Sequence, residues 1–207
     1  MPYAVYGMPN LLLNGDFESD LDNWSTTGTT FTSSFIDPFY SPSGDGSHFA
    51  CIVSDSRTYS STLYQTVDMT NDKKFRLSLD FTLATMEPGF GDDFRAELWI
   101  DYLGGGPYTP IFSYYSGDGI FQSYDPVNYP GLRHYTRRGF TYDFDWADPS
   151  EDMVLRFLVM GYDSDYVSAM LLDNVKVEAI PEPATVSLFI IGIGMAGVGL
   201  IRRKKSR

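Results

Sequence analysis

Residues 102–146 carry thirteen aromatic side chains in forty-five positions, and eight of the fifteen tyrosines fall there. A tyrosine ring offers a flat apolar face to sugar C–H groups and a hydroxyl that both donates and accepts hydrogen bonds. Tyr108, Tyr114, Tyr115, Tyr124, Tyr129 and Tyr135 are therefore candidates for a stacking platform, with Arg133, Arg137 and Arg138 nearby to bond sugar hydroxyls or carboxylates. The competing use of the same rings is to fill a core and decorate long loops. Catalysis finds little to work with. His48 and His134 are the two histidines, neither stands in an H-E-x-x-H pattern, and no G-x-S-x-G elbow occurs. Cys51 sits in the apolar run 49–53, which suits a small buried hydrophobe better than a nucleophile. Adjacent acids such as Asp92 with Asp93 or Glu151 with Asp152 would suit glycoside hydrolysis, but among 27 acidic residues such pairs arise by chance. Asp163-Ser164-Asp165 has the first spacing of a calcium loop without the rest of one, and reads as a solvated turn. The chain reads as non-catalytic.

The elements that must position these residues are strands. Phe75, Leu77, Leu79, Phe81 and Leu83 alternate with polar or small residues, and Phe94, Ala96, Leu98, Ile100 and Tyr102 do the same. Further strands are predicted over 47–53, 58–67, 135–144, 153–162 and 169–178. Turn formers separate them at 43–46, 71–72, 88–89, 104–107, 117–119 and 130–131. No sustained helical stripe occurs before residue 184. Many short strands with frequent turns imply an all-β fold, an antiparallel sandwich or jelly roll over residues 10–180.

The 207 residues carry a formal charge of −12, which argues against nucleic acid as a partner, and one cysteine excludes an intrachain disulfide framework. The charge is unevenly spread. Five positive charges fall in 202–207, leaving 10 basic against 27 acidic residues before them, a formal −17. Just upstream, 184–201 is uncharged and apolar; as a helix it would be about 27 Å long, near the thickness of a bilayer's hydrocarbon core. A single C-terminal transmembrane helix is predicted, with the basic tail cytoplasmic and the rest outside. Residues 1–9 lack a basic stretch followed by an apolar run, so they are expected to be a remnant near a truncated start of a longer, exported precursor.

Pro181-Glu182-Pro183, the glycine-rich apolar span and Arg202-Arg203-Lys204-Lys205 together resemble the PEP-CTERM sorting signal of Gram-negative bacteria. That resemblance implies an exosortase as partner and removal of the span. It also implies release to the cell envelope or exterior, in organisms that build exopolysaccharide and biofilm matrix. A second resemblance lies in 10–18 (Asn-Leu-Leu-Leu-Asn-Gly-Asp-Phe-Glu), with Trp24 after it and Leu171-Leu172-Asp173-Asn174-Val175 near the end. This pair is similar to the opening and closing strands of carbohydrate-binding modules with the galactose-binding-like jelly roll. It implies a structural Ca²⁺ held by Glu18, the loop 44–47 including Gly44 and Ser47, and Asp173; solvated turn acids are the plainer alternative. The expected function is an exported, non-catalytic surface or matrix protein with polysaccharide as candidate ligand. A purely structural surface protein, or a hydrolase on the same scaffold, are the alternatives.

Overall fold

A computed structural model describes residues 9–55, 57–69, 74–87, 94–102, 109–147, 151–161 and 166–180. Among the described residues thirteen strands follow one another: β1 (Ser25–Thr27), β2 (Thr29–Ser33), β3 (Phe35–Ile36), β4 (Phe39–Tyr40), β5 (Phe49–Ser54), β6 (Ser60–Val67), β7 (Lys74–Thr85), β8 (Phe94–Tyr102), β9 (Thr109–Tyr115), β10 (Gln122–Ser123), β11 (Arg133–Asp145), β12 (Met153–Gly161) and β13 (Ser168–Ala179). They form a five-stranded sheet in the order β1-β6-β12-β8-β9, a six-stranded sheet in the order β10-β11-β7-β13-β5-β2, and a separate β3–β4 hairpin. All pairings are antiparallel. The sheets pack face to face because alternate residues of their strands are apolar. Phe75, Leu77, Leu79, Phe81 and Leu83 of β7 meet Leu63, Leu98, Leu155 and Phe157 of the other sheet in one core. Burying each such side chain stabilises the fold by roughly 1.5–3 kcal/mol. Among the described residues, those of the core run from Leu12 to Val177, so the span 9–180 carries both sheets and this core.

β5–β8 and β11–β13 coincide with the alternating runs to within two residues. β1, β2, β9 and β10 carry no such alternation; β1, β2, β9 and β10 are edge strands, where one neighbour and open solvent impose no pattern. The expected opening strand is a correction. Residues 10–24 form a loop in which Asn14, Phe17, Asp20 and Asn23 all have positive φ; it touches β13 through an isolated bridge between Asn10 and Glu178 and single backbone bonds at Leu11 and Gly15. Asn14 holds this loop, its amide donating to the carbonyls of Asp20 (3.0 Å) and Asp22 (3.2 Å) and its side-chain oxygen accepting from the Ser19 amide. Gly15 is needed for a different reason: a Cβ there would stand 1.9 Å from the Val175 carbonyl oxygen. The loop buries Phe17 and Trp24 against each other, ring centroids 5.4 Å apart, with the Trp24 indole donating to the Asn14 carbonyl.

The transmembrane helix expected over 184–201 lies outside the described residues, as do Pro181, Glu182, Pro183 and Tyr108. No helix among the described residues is long and apolar enough to cross a membrane.

Candidate functional site

The outer face of the six-stranded sheet is not the solvated surface that strict alternation implies. From Phe81 to Thr85 every residue of β7 is buried, inward and outward alike. Across the sheet, Val53, Ala169, Ala84 and His134 stand in one row, and Cys51, Leu171, Thr82 and Thr136 in the next. The hairpin β3–β4 lies over these rows, and its Phe39 joins Phe49, Cys51, Ala84 and Leu171 in a second apolar cluster. Burial pushes the Cys51 thiol up to about 12, so it stays protonated and inert.

Two cavities flank the hairpin and share Pro38 and Phe39 as a wall. One, of about 370 Å³, is lined by Phe31, Ile36, Cys51, Val53, Ala84, Met86, Leu132, Ala169 and Leu171, with Asp37, Asn128 and Tyr129 among its polar members. The other, of about 340 Å³, is an open groove lined by Tyr40, Ser41, Gly44, Thr82, Tyr124, His134, Thr136 and Arg138. Tyr124 and His134 meet edge to face at 5.2 Å, and Phe39 backs both. Tyr124 donates to the Pro38 carbonyl at 3.1 Å and Tyr129 to the Asp37 carboxylate at 2.6 Å, tying the 124–132 loop to the hairpin. The Thr82 and Thr136 hydroxyls are 2.8 Å apart on the groove floor. Desolvation lowers the His134 pKa, favouring the neutral imidazole, which both donates and accepts. Exposed rings, paired hydroxyls, an imidazole and a guanidinium in one groove suit a polyhydroxylated ligand.

At the groove's end the loop 41–47 meets β13. Asp173 is fully buried, and its Oδ2 accepts from the hydroxyls of Ser41 (2.5 Å), Ser43 (2.8 Å) and Ser47 (2.8 Å) while Oδ1 accepts from the Asn174 amide. Asp45 Oδ1 accepts from the Ser43 hydroxyl at 2.7 Å and from Ser47 through both hydroxyl and amide. The Ser47 bonds, then the Ser43 hydroxyl, pull its pKa down to about 2. Glu18 accepts from the His48 amide at 2.9 Å, so all four residues expected at a calcium site come to one end of the sandwich. The donors are hard oxygens of the kind Ca²⁺ takes. Among the described residues, however, no three His, Cys, Asp or Glu side chains cluster as metal ligands, and Glu18 engages the loop backbone instead. Arg138 reaches the loop from β11. Its Nε donates to the Pro42 carbonyl at 2.8 Å, and its guanidinium fills the space that a Cβ on Gly44 would need. Beside Asp173 in register stands Asp80, whose carboxylate accepts from Gly139 N at 2.6 Å and Asn174 Nδ2 at 3.1 Å, holding the bulges of β11 and β13.

The expected tyrosine platform is not one surface. Tyr124 and Tyr129 reach the outer face, but Tyr114 packs on Phe112 and Tyr135 at the core's edge, with centroids 5.2 and 5.5 Å away. Tyr115 lies under Arg95 beside the five-stranded sheet. Arg133 is a clamp: its guanidinium donates to the carbonyls of Ser116 (2.9 Å) and Glu87 and covers Phe121. The physical reason is the two-residue alternation of β9, which sends the adjacent Tyr114 and Tyr115 to opposite faces, while Tyr124 and Tyr129 stand on the loop between β10 and β11. Tyr40, Thr82, His134 and Thr136 were not among the candidate ligand residues. Their signal was faint: an aromatic-rich Phe35–Tyr40 segment around Pro38, and polar residues at outward positions of long strands.

Residues 179–205 match the PEP-CTERM protein-sorting motif. No curated protein matches the chain. Several of the solved structures similar to it are carbohydrate-binding modules. TmCBM61, in complex with β-1,4-galactotriose, is 13% identical over 83% of this chain and 99% of that chain, with a TM-score of 0.49. CBM28, a module specific for non-crystalline cellulose, is 15% identical over 86% and 100%, with a TM-score of 0.47. The CBM22-1 xylan-binding domain from Paenibacillus barcinonensis Xyn10C is 12% identical over 86% and 99%, also with a TM-score of 0.47.

Proposed function

We propose that this is an exported, non-catalytic surface or matrix protein, sorted by an exosortase, whose sandwich binds polysaccharide in the groove beside Phe39. The observation that carries the binding half is the groove itself, where Tyr40 and Tyr124 present rings above a floor of Thr82, Thr136 and His134. Ring faces would cover sugar C–H edges, and the hydroxyls, imidazole and Arg138 would bond sugar hydroxyls. The sorting half rests on the match over 179–205. In this reading residues 10–180 are the ligand-binding unit and 181–207 the signal, with 184–201 as the membrane span of the precursor.

Affinity electrophoresis of residues 9–180 through gels containing the polysaccharides of the producing organism tests it. Retardation that disappears in a Tyr40→Ala, Tyr124→Ala double variant that still melts cooperatively is expected. Absence of retardation by every polysaccharide would overturn the binding reading. In an exosortase deletion strain the unprocessed full-length chain should accumulate; unchanged processing there would overturn the sorting reading. We further propose that Ca²⁺ joins Asp173 and the 41–47 loop, which predicts a melting temperature lowered by EGTA and restored by excess Ca²⁺; a temperature unmoved by EGTA refutes it.

A further inference from the structure

We infer that the apolar cavity receives an alkyl chain carried by the glycan seated in the neighbouring groove, so that the ligand is a neutral glycolipid-like amphiphile. The inference rests on the groove being a glycan site. Three observations carry it. The two cavities share the Pro38–Phe39 wall, and the change from apolar to polar lining runs along β7, where Ala84 faces the first cavity and Thr82 the second. The apolar cavity, at about 370 Å³, has room for about a dozen water-sized groups. That is far more than an acetyl or methyl substituent fills, and it matches a chain of medium length. Its roof is a built one, because the Tyr129–Asp37 and Tyr124–Pro38 hydrogen bonds fasten the 124–132 loop to the hairpin over a floor of Cys51, Val53, Ala169 and Leu171. The head group is assigned as neutral because Arg138, the charged side chain lining the groove, is already engaged with the Pro42 carbonyl, and the whole chain carries a formal −12, which repels an anionic one.

Calorimetric titration of residues 9–180 with three probes tests this: n-octyl glycosides of glucose, galactose and mannose below their micelle concentrations, the matching methyl glycosides, and 1-octanol. At least one octyl glycoside should bind at least about 100-fold tighter than its methyl counterpart, as burial of four or more methylenes requires. It should also bind at least about tenfold tighter than octanol. Ala169→Phe, which puts a ring into the cavity from a strand position that favours aromatics, should erase the octyl advantage and leave methyl glycoside binding unchanged. Val53→Phe serves the same purpose from the next strand should the first variant melt early. Equal affinity for octyl and methyl glycosides would overturn the inference and leave the glycan groove standing. Octanol binding as tightly as the glycosides would overturn both, and so would the absence of any binding. An octyl advantage undiminished in both filled variants would also overturn the inference.

Discussion

Asp173→Ala measures how much one buried carboxylate does for the stability of the sandwich. Asp173 has no exposed surface, and it accepts three serine hydroxyls and one backbone amide. Hydrogen bonds to an ionised acceptor contribute about 1.5–3 kcal/mol each, but not all four are lost in full. Ser43 and Ser47 are half-buried and keep Asp45 as an acceptor. Ser41 is only 4% exposed and keeps only its bonds to the other two serines. Counting the Ser41 bond and the Asn174 amide in full and the others as exchanged for new partners gives about 3–6 kcal/mol, from which the cost of desolvating the carboxylate subtracts. The expected loss is about 3 kcal/mol, or a melting temperature lower by about 6–12 °C for a domain of this size. Urea unfolding of residues 9–180 at pH 7 reads it, provided the slope with denaturant is unchanged. Asp173→Asn keeps an acceptor oxygen and should lose about half as much. A loss below about 1 kcal/mol in the alanine variant would refute the reasoning, since the serines would then be satisfied without the carboxylate.

Gly15→Ala drives a methyl into the Val175 carbonyl, so the variant should lose more than about 3 kcal/mol in the same urea titration, or fail to accumulate as folded protein. Arg133→Ala should cost about 2 kcal/mol by urea titration and leave retardation by polysaccharide unchanged, because its guanidinium serves the Ser116 and Glu87 carbonyls away from the groove. His134 has a lowered folded pKa from desolvation, so the unfolded chain takes up that proton first. Stability is then fully present above the ordinary histidine value near 6.5 and declines as pH falls below it; thermal melts from pH 7.5 to 5 should show a slope that His134→Gln removes. Asp45 works the same way at lower pH: its folded pKa of about 2 lies below the ordinary value of 3.8, so its contribution is present above pH 4 and lost between pH 4 and 2. Exposure keeps that contribution below about 1 kcal/mol, and Asp45→Asn should flatten melts in that window accordingly.

The long strands were legible because two-residue alternation is a direct imprint of having one wet and one dry face. The same imprint misleads where both faces are dry. Ala84 and Thr82 read as outward positions of β7, and nothing in their types announces that the β3–β4 hairpin covers them. The 10–18 and 171–175 segments were legible as an opening and closing pair through resemblance, and the structure brings them together where the Val175 amide donates to the Gly15 carbonyl at 2.8 Å. What the resemblance missed is that the opening residues turn rather than extend, since positive φ at Asn14 and Phe17 leaves no periodic mark. The tyrosines failed as a platform for a related reason. Density along the chain measures supply of rings, whereas a binding surface needs their rings on one face, and that depends on long-range pairing such as Tyr135 with Leu83.

The place where the chain leaves the sandwich has a mechanical consequence. β13 is an interior strand, hydrogen-bonded to β7 along nearly its whole length, to β5 over its first half, and flanked near its end by Asn10 and Leu11. The sorting motif begins at 179, in the last residue of that strand. A pull on the C-terminal segment therefore runs along β13 and loads its ladder bonds together in shear, rather than unzipping them singly as it would from an edge strand. The pull also arrives at the opposite end of the strand from Ala169, about 33 Å away at strand spacing. The face that carries the two cavities thus lies toward the far end of the strand that bears the tension.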